Sequence, residues 1–191
     1  MFLVHATSSA ARTTAPFDCA PRGWNYSVVY PAYDPRFSKG HAVDRCGYGF
    51  IESLRAVRVH AARRPLMIDV GANVGQSLLP LASLGWDVLA FEPSPHNAEV
   101  INKNVGLNAG LADRVQLVDG VASNVSGTLT LHVPVNGRED NAALVASAAA
   151  AAKSPSRPLQ VKSVTLDDVF VQRGLDPSRV HYIKIDTQGH E

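Results

Sequence analysis

The chain has 191 residues, of which 46% are hydrophobic and 18% charged, with a formal net charge of +1. That length suits one domain with a sizeable core, and that composition is globular rather than disordered. It excludes a nucleic-acid footprint, since no lysine or arginine cluster dominates and Arg63-Arg64 reads as a solvated helix end, and no apolar run reaches the length of a membrane span.

Residues 1–47 read as an irregular N-terminal extension. Pro16, Pro21, Pro31 and Pro35 punctuate it, and Phe17, Trp24, Tyr26, Tyr30 and Tyr33 are expected to pack on the domain. Cys19 and Cys46 lack His or Cys partners at ligand spacing, so no metal site is expected; a bridge between them would require an oxidising compartment. The sequons Asn25-Tyr26-Ser27 and Asn124-Val125-Ser126 fit such a compartment, while the acid-poor, Ser/Thr-rich first 17 residues resemble a transit peptide, so the compartment stays open.

From Gly49 to Ala62 the apolar residues Phe50, Leu54, Val57 and Ala61 recur at helical spacing. Leu66 to Val70 and Val88 to Phe91 are apolar runs without polar alternation, as parallel strands buried on both faces require. Between them Gln76 to Leu84 reads as a helix stopped by Gly85, with Pro80 expected to kink or shorten it. Ser94-Pro95 is a cap followed by proline in the first helical position, and Val100, Ile101 and Val105 supply the buried side of that helix.

Val115 to Val118 forms a third strand, and Thr128 to Val133 alternates as a strand with one apolar face, leaving His132 on its exposed side. Residues 134–160, with the alanine-rich tract Ala142 to Ala152, read as a variable insertion. Val161 to Val164 is a short strand, Thr165 and Asp168 cap a helix from Leu166 to Arg173, Gly174 ends it, and His181 to Asp186 forms another buried strand.

The segment Leu66-Met-Ile-Asp-Val-Gly-Ala-Asn-Val-Gly75 carries an apolar strand into a glycine turn and a helix, and Glu92 follows at the end of the next strand. This is the layout by which α/β folds hold a nucleoside: glycines for close backbone approach, a helix start with N–H groups, an acid for the ribose hydroxyls. The turn reads G-x-N-x-G, so Asn73 stands where a dinucleotide site needs its second glycine. An amide there and a carboxylate at Asp69 suit a nucleoside with an amino-acid tail, S-adenosyl-L-methionine, better than NAD; an NAD-dependent oxidoreductase is the remote alternative.

Four blocks, Met67 to Gly75, Ala90 to Ser94, Val164 to Val169 and Ile183 to Glu191, resemble the FkbM-type family of S-adenosylmethionine-dependent methyltransferases. The resemblance implies an α/β fold with a Rossmann-like class I methyltransferase sheet, largely parallel, helices on both faces, incomplete at the C-terminal end. It implies a methyltransferase domain over residues 48–191. Asp69, Gly71, Asn73 and Gly75 would line the methionine part, Glu92 would hold the ribose, Pro93 would shape the adenine side, and Asp119 and Val121 would lie along the adenine ring. Asp186 would lie beside the transferable methyl group. Thr187 and Gln188 depart from the family's usual valine and glutamate, and the family's further helix and strands are expected after the last block.

A small hydroxylated acceptor, such as a sugar or secondary metabolite, would need its proton removed, and Asp186 and then His190 are the candidate catalytic bases. The competing reading is a catalytically inactive fragment or binding module, in which the last strand is an apolar edge covered by a partner chain or by a missing C-terminal segment.

Overall fold

The computed structural model describes residues 13–20, 25–31, 46, 54, 63–134 and 155–187. The elements in chain order are β1 (Phe17–Asp18), β2 (Ser27–Val28), β3 (Leu66–Val70), α1 (Leu78–Ser83), β4 (Asp87–Glu92), α2 (Pro95–Leu107), β5 (Val115–Asp119), β6 (Val121–Ala122), β7 (Gly127–Pro134), β8 (Ser156–Val164), α3 (Leu166–Arg173), a 3-10 turn (Pro177–Arg179) and β9 (Val180–Ile185).

The centre is a parallel four-stranded sheet in the order β5-β4-β3-β9. Alternate residues of each strand serve opposite faces, which is why the strands carry no polar alternation. Met67, Val88 and Ala90 face a core shared with Leu78, Leu79 and Leu81 of α1 and Val100 and Ile101 of α2. Leu66, Ile68, Val70, Leu89, Phe91 and Val118 face a second core closed by Val164 and by Val169 of α3. Helices therefore cover both faces, as expected. Each fully buried Leu or Phe in these layers contributes roughly 1.5–3 kcal/mol. A second sheet, β6-β8-β7, has its own small core of Val121, Leu131, Val133 and Val161.

The helix ends follow local chemistry. Ser94 caps α2 by accepting the Asn97 N–H, with Pro95 in the first position. Thr165 accepts the Asp168 N–H at 3.1 Å, and Gly174 closes α3 at φ 59°. The Asp168 carboxylate accepts the Ser126 hydroxyl at 2.6 Å, and that oxygen accepts the Thr165 N–H at 3.3 Å, so Ser126 sits inside the cap.

Several expectations need correction. The helix after the glycine turn begins at Leu78, not Gln76, because the chain is still turning there; Pro80 therefore lies in the first turn, where its missing N–H costs no bond. β8 begins at Ser156, five residues before the expected Val161, since it pairs antiparallel with all of β7 from Gly127 to Pro134. His132 is half-buried opposite Pro158, not exposed. The last strand is not buried: among the described residues β3 is its one strand neighbour, and Ile183 and Ile185 are 50% and 55% exposed. The expected helix over 49–62 lies outside the described residues except for Leu54, which packs on the core of the α1/α2 face. Of the 134–160 insertion, residues 135–154 lie outside them as well.

The described residues of the N-terminal segment, 13–20, 25–31 and 46, are docked on the domain. β1 and β2 pair antiparallel, Cys19 is bonded to Cys46, and Tyr26, Val28 and Tyr30 are buried in the α1/α2 core. Two side chains of α2 hold it. Asn104, wholly buried, accepts the Val29 N–H at 2.7 Å and donates to the carbonyls of Val29 at 3.0 Å and Val74 at 3.2 Å. Asn108 accepts the Ser27 N–H and donates to the Ser27 carbonyl, both at 2.7 Å.

Candidate functional site

The carboxyl ends of β3, β4 and β9 meet at the turn over residues 71–75. Gly71 has φ 78°, and a Cβ there would lie 2.0 Å from the Asp186 carbonyl oxygen, so only glycine lets the turn pass the end of β9. Asn73 is left-handed at φ 54°, a conformation that asparagine tolerates better than other side chains. Its presence in G-x-N-x-G thus has a backbone cause beside the amide chemistry read from the sequence.

Glu92 is the acid at this junction. It is 5% exposed; one carboxylate oxygen accepts the Asn73 N–H at 2.7 Å, and the other accepts the Ser94 N–H at 2.9 Å and the Asn97 side-chain amide at 3.3 Å. Burial pushes its pKa up to about 7, against the pull of those three donors and with a smaller upward push from Asp69. Three of the carboxylate's roughly four acceptor positions are taken, leaving about one for a ligand hydroxyl. The turn's own N–H groups are largely spent: Gly71 and Ala72 donate to Phe91 O at 3.0 Å, and Gly75 donates to Ala72 O at 2.9 Å. The free donors expected from the glycine turn are not available at those positions, because the turn uses them to hold its shape.

Asp69 is fully buried. Its Oδ2 accepts the Ser77 hydroxyl at 2.5 Å and its Oδ1 accepts from Lys184 Nζ at 3.0 Å, while the same ammonium donates to Gly71 O at 2.7 Å. Burial pushes the Asp69 pKa up, opposed first by the Lys184 charge and then by the Ser77 hydroxyl. Ser77 is the N-cap residue of α1 but makes no capping bond with its side chain, since its hydroxyl is committed to Asp69.

Gly75, in the turn before α1, has φ 93°. Pro93 follows Glu92 half-buried, and Asp119 lies beside Glu92 in the register of β4 and β5, exposed at the strand end. Val121 is not presented to this junction: it is spent on the core of the second sheet with Leu131, Val133 and Val161. Asp186 is exposed just past β9, its N–H donating to Val70 O at 3.0 Å. His190 and Gln188 lie outside the described residues. Sequence reasoning missed Lys184, Ser77 and Asn97. The strand pairing Asp69↔Lys184 was the missing fact for the first, and a hydroxyl eight residues after Asp69 was the available signal for the second.

Among the described residues no group of three or more His, Cys, Asp or Glu side chains could hold a metal ion, and no helix is long and apolar enough to cross a membrane.

Comparison with known proteins adds the following. No curated protein matches the chain. Among solved structures, methyltransferase FkbM from Methylobacillus flagellatus KT is similar at 20% identity and a TM-score of 0.40, over 70% of this chain and 29% of that one. The glycopeptide N-methyltransferase MtfA is similar at 14% identity and a TM-score of 0.34, over 74% of this chain and 86% of that one. MtfA complexed with S-adenosyl-L-methionine is similar at 14% identity and a TM-score of 0.33, over 72% and 85%. The chain thus spans 29% of the length of the Methylobacillus protein. The methyltransferase FkbM domain profile matches residues 69–191, from the buried acid of β3 through the end of β9 and beyond, and the chain belongs to that family.

Proposed function

We propose that the chain binds S-adenosyl-L-methionine at the β3–β4–β9 junction and transfers its methyl group to a hydroxyl of a small acceptor, such as a sugar or secondary metabolite. The observation that carries this reading is the Glu92 carboxylate, buried at the end of β4 and aimed at the glycine turn through the Asn73 N–H. Its remaining acceptor position suits one ribose hydroxyl, and the close passage of Gly71 past Asp186 brings the turn and the end of β9 together. Family membership over residues 69–191 supports the same cofactor.

The bound sulfonium supplies an already activated methyl group. The protein's work is then alignment and proton handling. The turn, held by Glu92 and Lys184, fixes the cofactor pocket against the strand ends. To Asp186, exposed just past β9 with its backbone carbonyl against Gly71, we assign the acceptance of the acceptor's hydroxyl proton.

Formation of S-adenosylhomocysteine from S-adenosylmethionine, followed over a panel of hydroxylated acceptors, tests the reading. Wild type should turn over with at least one acceptor, Asp186→Asn should lose turnover while still binding the cofactor, and Glu92→Ala should lose binding. Cofactor binding unaltered by Glu92→Ala would refute the site. A second reading, a binding module, is favoured by Ile183 and Ile185, half-exposed on the β9 edge. Sedimentation showing a stable partner on that edge, with no turnover, would support it instead.

A further inference from the structure

The acceptors that sequence reasoning offers to the ligand's amino group already hold an ammonium, and it belongs to the protein. Lys184 stands opposite Asp69 in the β3–β9 register, with Nζ 3.0 Å from Asp69 Oδ1 and 2.7 Å from Gly71 O. Asp69 Oδ2 is taken by the Ser77 hydroxyl at 2.5 Å. The pair is enclosed, with the Asp69 side chain 0% and the Lys184 side chain 10% exposed.

A second ammonium arriving at Asp69 would meet the Lys184 charge at contact distance, without bulk water to screen it. The same three contacts tie β3, β9, the turn and the start of α1 together. That is the work of a scaffold, not of a reader.

Resting on the cofactor reading above, we propose that Lys184 is a positioning and specificity-determining residue of this site: its ammonium neutralises Asp69 and holds the Gly71 carbonyl, so that Asp69 shapes the turn and does not recognise the amino group of the ligand's tail. The sulfonium nucleoside is then selected through Glu92 and the turn, and any recognition of its amino group falls to other residues.

The test is calorimetric binding of S-adenosylhomocysteine and of its analogue lacking the amino group to the full chain. The quantity read is the ratio of the two affinities. Asp69→Asn/Lys184→Met replaces the ion pair with neutral side chains of similar size, and its ratio should stay within about threefold of the wild-type ratio. Lys184→Met alone uncovers a buried carboxylate, which should recruit the ligand's ammonium and raise the ratio by about tenfold or more. A larger fall of the ratio in the double variant, or no rise in a folded Lys184→Met, would overturn the proposal. If Lys184→Met fails to fold, the double variant decides by itself. Absence of binding of either ligand to wild type would refute the cofactor reading, and this proposal with it; a fallen ratio in the double variant, or an unchanged one in a folded Lys184→Met, on top of sound wild-type binding refutes the Lys184 assignment alone.

Discussion

Glu92 reaches back from the end of β4 to accept the Asn73 N–H at 2.7 Å, so the acid that follows the second strand is fixed by the turn that follows the first. The carboxylate is held where water cannot reach it well, and its pKa rises to about 7. The folded protein therefore takes up a proton that the unfolded chain, with the ordinary value of 4.5, releases. Stability from this group is complete below about pH 4.5 and is lost as pH rises through about 7, by roughly 3 kcal/mol in all. Asp69, also shifted upward, acts with the same sign. Urea unfolding between about pH 5 and pH 8 should show wild type losing stability relative to Glu92→Gln. Parallel curves for the two proteins would contradict the burial argument.

Ligand binding should carry the opposite dependence. A ribose hydroxyl donates best to an ionised carboxylate, so S-adenosylmethionine affinity should increase from about pH 6 to pH 8, with release of up to about one proton on binding near neutrality. Calorimetry in buffers of different ionisation enthalpy measures that proton directly. Glu92→Gln should abolish both the pH dependence and the release; proton uptake by wild type would exclude an ionised Glu92 as the ribose acceptor.

Asn104→Ala should cost about 2–4 kcal/mol, because it strands the Val29 N–H, the Val29 carbonyl and the Val74 carbonyl in the interior. Amide exchange should localise the damage to residues 27–31 and the glycine turn. Asn108→Ala, removing a half-buried partner of Ser27, should cost less. Equal protection of the Val29 amide in wild type and Asn104→Ala would disprove the docking role.

Cys19 and Cys46 are 27 residues apart in sequence, and closing a loop of that length restricts the unfolded chain by about 3–4 kcal/mol at room temperature. The Cys19→Ser/Cys46→Ser variant should melt well below oxidised wild type and match reduced wild type. Thermal scans with and without reductant make the comparison, and coincident melting of all three would argue against a bridge that stabilises the fold.

What could be read from the sequence was whatever a few neighbouring residues decide. Ser94-Pro95 and the Thr165 to Gly174 frame gave both helices their ends because caps are local chemistry. The strand cores β3 and β4 were legible because burial on both faces leaves an unbroken apolar run. The grip of Lys184 on Asp69 spans 115 residues, and that of Asn104 on Val29 spans 75, so neither leaves a periodic trace. Asn73 was read for its amide, whereas its φ of 54° shows that the backbone also asks for an asparagine. Val121 was placed only by what the family resemblance implies for the segment after the third strand, and the second sheet shows where its side chain goes.

The two asparagines of α2 turn a helix into a measuring edge. Four residues along a helix advance about 6.0 Å, and two along a strand about 6.6 Å, so Asn104 and Asn108 meet Val29 and Ser27 in step. The amides read the passing chain in units of two residues, as a neighbouring strand would, without any strand being there. Sliding the segment by one residue would take Tyr26, Val28 and Tyr30 off the core they share with α2, and deleting one residue between the two asparagines would swing one amide about 100° around the helix axis. The phase between helix and N-terminal segment is therefore encoded in two side chains, and a single indel there would erase it.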